Sequence, residues 1–567
     1  MDVTARISDL WSDINPVAGY TGGHLSSLTK LFFQTADSLH DMRSRIEVLR
    51  RELKQIPDVD LRGTADAILT TLKTQLELAR PSGTGPSGTG AGGVYAAADG
   101  VFYIVLKSDF DKDWVPGFLD EVQKMVEFET RRWWGQDFTI LVRKECLNTV
   151  IYMRGTLAAL LEARHTSPPI KDKVNHISAA LAKYEALFTV PGLDSDDFKT
   201  YWPIFQSWDR VSGPASANGY PACLKNYYQI PQSAEDIGVV AQGWLDLDLP
   251  VTIGIAEQIE GLPFMRGQAM GSLQSVWDAV SKQYNKNFDP AVMKAVLKAC
   301  NDFGAKYVIA FTPEDHVKFD ATPAYLVNLV TGGEDFAVNY LDPKTAYSQL
   351  YLTASKNTSL LTMINILVHE ASHGFNFVLS ARHASSPLLN VNTSLEVPMT
   401  EGMAFYREYQ YWQAAQELIG RTDLDLVQTS YLALYGSDPA EQAQGVLCAQ
   451  LETYIWRVIR YVRALCDVRV NGGEMTYTDF IAWAAGATGL SDETLHGECF
   501  TFMASPGYAP CYAVGGASYA TLQKRGIPAG VSEIDFNTGA SRQGFFAWPT
   551  AIQKMEAMIA PAKGGAR

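Results

Sequence analysis

Apolar positions in this chain recur mostly at helical spacing. Between residues 2 and 79 they include Leu25, Leu28, Leu31 and Phe32, then Ile46, Leu49 and Leu53, then Ile68, Leu69 and Leu72, which predicts two or three helices. Residues 113–310 read the same way, punctuated at Pro168-Pro169, Pro191-Gly192 and Ser212-Gly213-Pro214. Runs rich in branched and aromatic residues are few. Residues 307–311, 336–340 and 349–353 are short, lie between turns and predict a small β-sheet. A proline-free stretch over 361–382, opened by Asn357-Thr358-Ser359, predicts a buried helix beside that sheet. A second long helix over 398–419 has Ser394 and Pro398 as start signals and Gly420 as its stop, and further helices are predicted at about 440–470 and 551–560. The fold class is therefore mainly α, and the chain shows no internal repeat.

The run from Pro81 to Gly90, built from proline, serine, glycine and threonine, cannot form a core. It divides the chain into an N-terminal helical segment (1–80), a linker or loop (81–98), a helical lobe (99–345), a second helical lobe that carries the 361–382 helix (346–560) and a tail expected to be disordered (561–567). A chain of 567 residues with 47% hydrophobic content buries a substantial core. The net charge of -15 argues against nucleic acid and anionic membrane as partners, because both require basic surface. The most apolar window, residues 244–259, is interrupted by Asp246, Asp248, Pro250 and Glu257, so no membrane span is expected. No secretion signal is visible at the N-terminus, and seven scattered cysteines without a C-x-x-C pair suit reduced thiols; a cytoplasmic location is expected.

Chemistry concentrates at His369-Glu370-Ala371-Ser372-His373. On a helix the two histidines share one face and can grip one metal ion, with Glu370 beside them as general base. Catalytic zinc takes three protein ligands and leaves a fourth position open, so Zn2+ is the expected cofactor and a third ligand is required. The position six residues beyond His373 is Leu379, His383 lies several turns away, and Asn392 and Thr393 stand where a short-spacer third glutamate would fall. Glu396 and Glu401 remain, 23 and 28 residues past His373. Glu401 is preferred, because Glu408 follows two turns later on the same face and can accept the second N–H of a ligand imidazole. Glu396 suits a helix-start carboxylate.

The segment Glu401-Gly402-Met403-Ala404-Phe405-Tyr406 resembles the Glu-Gly-Trp-Ala-Leu-Tyr signature of the bacterial domain-of-unknown-function family 885, and residues 506–515 resemble its later Pro-Gly…Tyr…Gly element. The resemblance spans about residues 321–523. More distantly, the arrangement is similar to the carboxypeptidase Taq and thimet oligopeptidase families, gluzincins whose metal-ligand glutamate is followed by another seven residues on. That implies a mostly helical, two-lobed fold around a deep cleft, favours Glu401 over Glu396, and casts Tyr512 first and Tyr508 second as donors to a developing oxyanion. It also implies a homodimer by analogy. This chain departs from the pattern in its uninterrupted His-Glu-x-x-His followed by Gly374, in Met403 for tryptophan, and in Met503 where the oligopeptidases carry histidine, for which His496 is an unaligned substitute.

The expected function is a zinc-dependent metallopeptidase acting on short peptides, a carboxypeptidase by resemblance, with metal-activated water and Glu370 as base. The edge strand of the small sheet would offer backbone groups to an extended peptide. Two other classes stay open: a zinc-dependent amidohydrolase or lyase acting on a small metabolite or amide, and an inactive peptide-binding protein. Arg407 is a candidate partner for a substrate carboxylate or for a surface salt bridge with Glu408. Gly515-Gly516 suits close substrate approach or a turn, and Cys511 a packing role.

Overall fold

The structure, a computed structural model, describes residues 2–78, 93–163, 168–208, 219–268, 271–285, 290–311, 317–327, 329–330, 333–353, 359–391, 394–503 and 505–560. It opens on α1 (Val3–Ile14), α2 (Pro16–Thr21), α3 (Ala36–Glu52) and α4 (Val59–Glu77). Next come α5 (Gly93–Leu106), α6 (Val115–Arg132), α7 (Ile140–Ala163), α8 (Pro168–Glu185), α9 (Phe198–Trp208) and the single turn α10 (Tyr220–Ala222). The long α11 (Ala234–Glu260), α12 (Leu273–Gln283) and α13 (Pro290–Tyr307) lead into three strands, β1 (Val317–Ala321), β2 (Gly333–Val338) and β3 (Tyr347–Leu352). The rest is helical: α14 (Leu360–His383), α15 (Val397–Leu418), α16 (Leu426–Leu432), α17 (Pro439–Asn471), α18 (Tyr477–Thr488), α19 (Asp492–Met503), α20 (Ala509–Gly526), α21 (Glu533–Arg542) and α22 (Trp548–Ile559). The mainly helical fold with one small sheet agrees with the sequence pattern.

The sheet has the order β1-β3-β2, with β1 parallel and β2 antiparallel to β3. In register, Asp335 stands opposite Leu350 and Phe336 opposite Gln349. β2 is thus an edge, and α14 packs across β2 and β3. On its other sides α14 meets α15, α17 and α21, while α15 lies along α20. This junction of α14, α15, α17 and α20 carries the candidate chemistry.

Several sequence expectations change. The 81–98 linker ends early, because residues 93–98 open α5 and Val94, Ala97 and Ala98 are fully buried; residues 81–92 lie outside the described residues. The tail from 561 lies outside them too. The N-terminal segment holds four helices, and Leu25 to Phe33 is irregular chain whose Leu28, Leu31 and Phe32 are nevertheless buried. Residues 307–311 form no strand, since Tyr307 ends α13; β1 supplies the third strand. β1 and β2 precede residue 346 and β3 follows it, so the sheet joins the two expected lobes. α11, 27 residues, is by length and composition alone long and apolar enough to cross a membrane, and 33% of its most apolar window is buried. Asp248 of α11 receives a 2.8 Å hydrogen bond from Arg457 and a 3.0 Å bond from Tyr461, both on α17.

The N-terminal residues are stitched to the chain just beyond β2. Asn339 N–H donates to the Thr21 carbonyl at 2.8 Å, Leu341 N–H to Gly22 at 3.0 Å, and the Tyr340 hydroxyl to Ala18 at 2.9 Å. The first helices share a hydrophobic cluster with Leu388, Val391, Leu395 and Ala547. The N-terminal segment is therefore packed into the body of the protein.

Candidate metal centre

Ser359 caps α14 by accepting the Thr362 N–H at 3.0 Å; Asn357 and Thr358 lie outside the described residues. One turn of helix separates His369 from His373, which brings their Nε2 atoms to 3.1 Å. Glu401, in the first turns of α15, aims Oε2 at both rings, 3.3 Å from His369 and 3.4 Å from His373. That oxygen is buried and accepts no well-formed hydrogen bond. Glu396 is instead the N-cap residue of α15 and makes no side-chain cap bond, so Glu401 is the carboxylate that joins the two histidines.

Three donor atoms at these separations are spaced as ligands about 2 Å from one shared ion would be. The donor set, two imidazoles and one carboxylate, also suits zinc. Together with the orphaned Oε2, the residues fit the implied metal.

Glu408 holds the far side of His369. Its Oε1 lies 2.7 Å from Nδ1, fixing ring orientation as an outer-shell carboxylate does. Asn365 donates to Oε2 at 3.1 Å, and Arg460 of α17 donates to both oxygens, to Oε2 at 3.0 Å. Burial alone would raise the Glu408 pKa, but Arg460 and His369 outweigh it and hold the carboxyl below its ordinary range. Burial likewise opposes charge on Glu401, and the two histidines overcome it. His369 shows the complement: burial lowers its pKa, while Glu401 and Glu408 carry it up to about 9. Negative charge is gathered where a cation would sit.

Glu370 lies beside the trio and accepts the Asp335 N–H of β2 at 3.2 Å. Burial raises its pKa above the ordinary glutamate value, a direction that suits a proton acceptor working near neutrality. Because this Asp335 N–H points at Glu370, it belongs to the edge of β2 that β3 leaves free.

Both candidate tyrosines reach the centre. Tyr508 donates to Glu401 Oε1, and the Tyr512 ring lies 6.3 Å from the His369 ring at 27°. Burial, then Glu401, keeps each hydroxyl protonated and so able to donate. Gly507, at φ +93, makes the turn before α20, and its N–H donates to Asp467 Oδ2 of α17 at 2.7 Å.

Other expectations resolve differently. His496 is far from this chemistry in character, enclosed by Trp202, Phe198 and Tyr477, with burial lowering its pKa to about 3. Arg407 is buried, donating to Ser541 Oγ at 3.0 Å and to the Ser372 carbonyl at 3.4 Å; it forms neither a surface pair with Glu408 nor a contact with the trio. Gly515 and Gly516 lie inside α20 rather than in a turn. A Cβ on Gly402 would stand 2.4 Å from the Gly515 carbonyl carbon, so the glycines let α15 and α20 touch. Cys511 is buried, as expected of a packing residue. Sequence reasoning missed Arg460, Asn365, Asp335 and Asp467. Asn365, one turn before His369 on the same helical face, was the one with a local signal.

No family model matches the sequence, and no curated protein matches it. Among solved structures, a protein of unknown function from Shewanella oneidensis, provisionally described as a lipoprotein, is similar at TM-score 0.66 and 13% identity over 98% of each chain. A second, from Colwellia psychrerythraea and described in the same provisional way, is similar at TM-score 0.63 and 12% identity, covering 98% of this chain and 99% of that one. At such identity the likeness shows a shared fold.

Proposed function

We propose that the protein is a zinc-dependent hydrolase of short peptides, of gluzincin type and two-lobed around a cleft. The observation that carries this reading is the convergence of His369, His373 and an otherwise unpartnered Glu401 oxygen, with the Glu370 carboxyl alongside. Zinc, when bound by these three residues, supplies Lewis acidity that polarises the scissile carbonyl and lowers the pKa of water. Glu370 takes a proton from the attacking water and returns it to the leaving nitrogen. Tyr512, held protonated, donates to the oxygen on which negative charge develops, and burial makes that bond worth more than it would be in water, while Tyr508 commits its one proton to Glu401 and steadies that ligand. The free edge of β2 orients extended peptide by main-chain hydrogen bonds. A carboxypeptidase mode follows from the family resemblance.

The test joins metal content to turnover. Plasma mass spectrometry of the purified protein is expected to find about one zinc per chain, lost in His369→Ala and Glu401→Ala. Glu370→Gln is expected to keep zinc while peptide cleavage falls by about 10²–10⁴-fold; an unchanged rate in that variant overturns the mechanism. For location we propose the cytoplasm, on seven buried cysteines that are thiols rather than disulfides. Metabolic labelling with palmitate tests this against the lipid-anchored state that the neighbours' descriptions suggest.

A further inference from the structure

Along β2, beyond Glu370, a cavity of about 130 Å³ opens between the strand, α5 and the N-terminal segment. Asp99 and Tyr103 of α5 line it from one side and Asp335 of β2 from the other. Asp335 takes one hydrogen bond on Oδ1 from Ser348, yet its Oδ2 is buried and accepts none. Among the described residues Asp99 receives only the Tyr152 hydroxyl, at 2.9 Å. Glu334, the exposed position of β2, points to the other face of the strand and adds negative charge close to Asp99 and Glu370 without lining the cavity.

Among the described residues no lysine or arginine pairs with Asp99, Glu334 or Asp335. Lys107, which follows α5, is engaged elsewhere, by the Tyr20 carbonyl at 2.9 Å and Asn339 at 3.3 Å. Enclosed carboxyls without a cation are costly in their charged form. Burial accordingly pushes Asp99 up to about 7, and Asp335 moves in the same direction. A bound cation would reverse that cost. Tyr103 lines the cavity beside Asp99 and adds an aromatic ring, a group to which cations are also attracted.

We propose that this cavity is a recognition subsite for a cationic group of the peptide substrate, an ammonium or a guanidinium, held by Asp99 and Asp335. The proposal rests on the peptidase reading, because the subsite lies on the same strand edge that would orient the peptide past Glu370. Two sources supply such a cation: a free N-terminus and a basic side chain.

The experiment is titration calorimetry on the full-length, zinc-loaded Glu370→Gln protein, so that bound peptide persists. One pair of neutral tetrapeptide amides compares a free amino terminus with its acetylated twin; a second, both acetylated, compares lysine with norleucine. At least one pair is expected to show a tenfold or greater preference for the cationic member. That preference should fall below threefold when Asp99→Asn or Asp335→Asn is added. A preference in the first pair assigns the subsite to the α-ammonium, and in the second to a side chain. Peptides that bind with no preference in either pair overturn the subsite while leaving the peptidase reading intact. A preference unchanged in both added variants overturns the assignment to these carboxyls. Absence of all peptide binding overturns the subsite together with the peptide reading, which the zinc analysis then separates from the metal centre.

Discussion

His369 is held from two directions, by Glu401 and His373 at Nε2 and by Glu408 at Nδ1, and Glu408 is held in turn by Arg460 and Asn365. The outer carboxylate therefore fixes which ring nitrogen faces the metal position. Glu408→Gln, which keeps the shape and loses the charge, is expected to weaken zinc affinity about 10–100-fold in chelator competition. Glu408→Ala should also cost about 3–5 kcal/mol of stability, because it leaves Arg460 buried without its counterion. Most of this constellation was legible beforehand. His369, Glu370 and His373 follow from helical spacing, and Glu401 from having Glu408 two turns downstream. Tyr508 and Tyr512 entered only through a family resemblance. Arg460 and Asp335 could not be read, because one lies on a helix 91 residues away and the other offers its backbone N–H, which no residue type advertises. Arg407 misled because adjacency to Glu408 in sequence puts two helical side chains on different faces.

At the level of elements, α15 and α20 meet through glycine. A Cβ on Gly515 would fall 1.9 Å from the Pro398 carbonyl oxygen, and one on Gly402 2.4 Å from the Gly515 carbonyl carbon. Gly402 directly follows Glu401, and Tyr508 and Tyr512 stand at the start of α20, so this contact sets the distance from Glu401 to the two tyrosines. Gly402→Val is expected to force the helices apart at about 1–3 kcal/mol of stability. It should also weaken zinc binding, read by melting temperature and by metal content after dialysis. The strands around 336–340 and 349–353 were legible because branched and aromatic residues cluster between turns. β1 was missed because Val317-Lys318-Phe319-Asp320-Ala321 is short and half charged, and residues 307–311 were misread because a buried apolar run has no period to separate a helix end from a strand. The irregular chain at Leu25 to Phe33 shows the same ambiguity, with burial imposed by neighbours rather than by its own helical face.

Over the whole molecule, buried acids tie stability to pH. Asp467, which holds the Gly507 turn, is moved by burial from 3.8 to about 7. Its folded pKa lies above its unfolded one, so its contribution is fully present below about pH 3.8 and is lost as pH rises toward 7. Asp467→Asn keeps an acceptor for Gly507 and is expected to gain in melting temperature relative to wild type between about pH 4 and 7, with the difference constant above that range. A variant whose difference from wild type is flat throughout would show that Asp467 keeps its charge in the fold. The molecule-scale organisation was the least legible part. A low-complexity run suggested an N-terminal appendage, whereas α1 shares a cluster with Leu388 and Ala547, and the sheet crosses the expected lobe boundary.

The stitching of residues 18–22 onto 339–341 has a further consequence. Residues 15–18 and Thr21 wall the cavity that follows the free edge of β2. A peptide laid along that edge, as proposed above, would meet a stop at a fixed distance from Glu370, and such a stop would act as a ruler. If the protein cleaves peptides as proposed, substrates of increasing length should all lose a fragment of the same length from the same terminus, and mass spectrometry of the digests would read that constant directly.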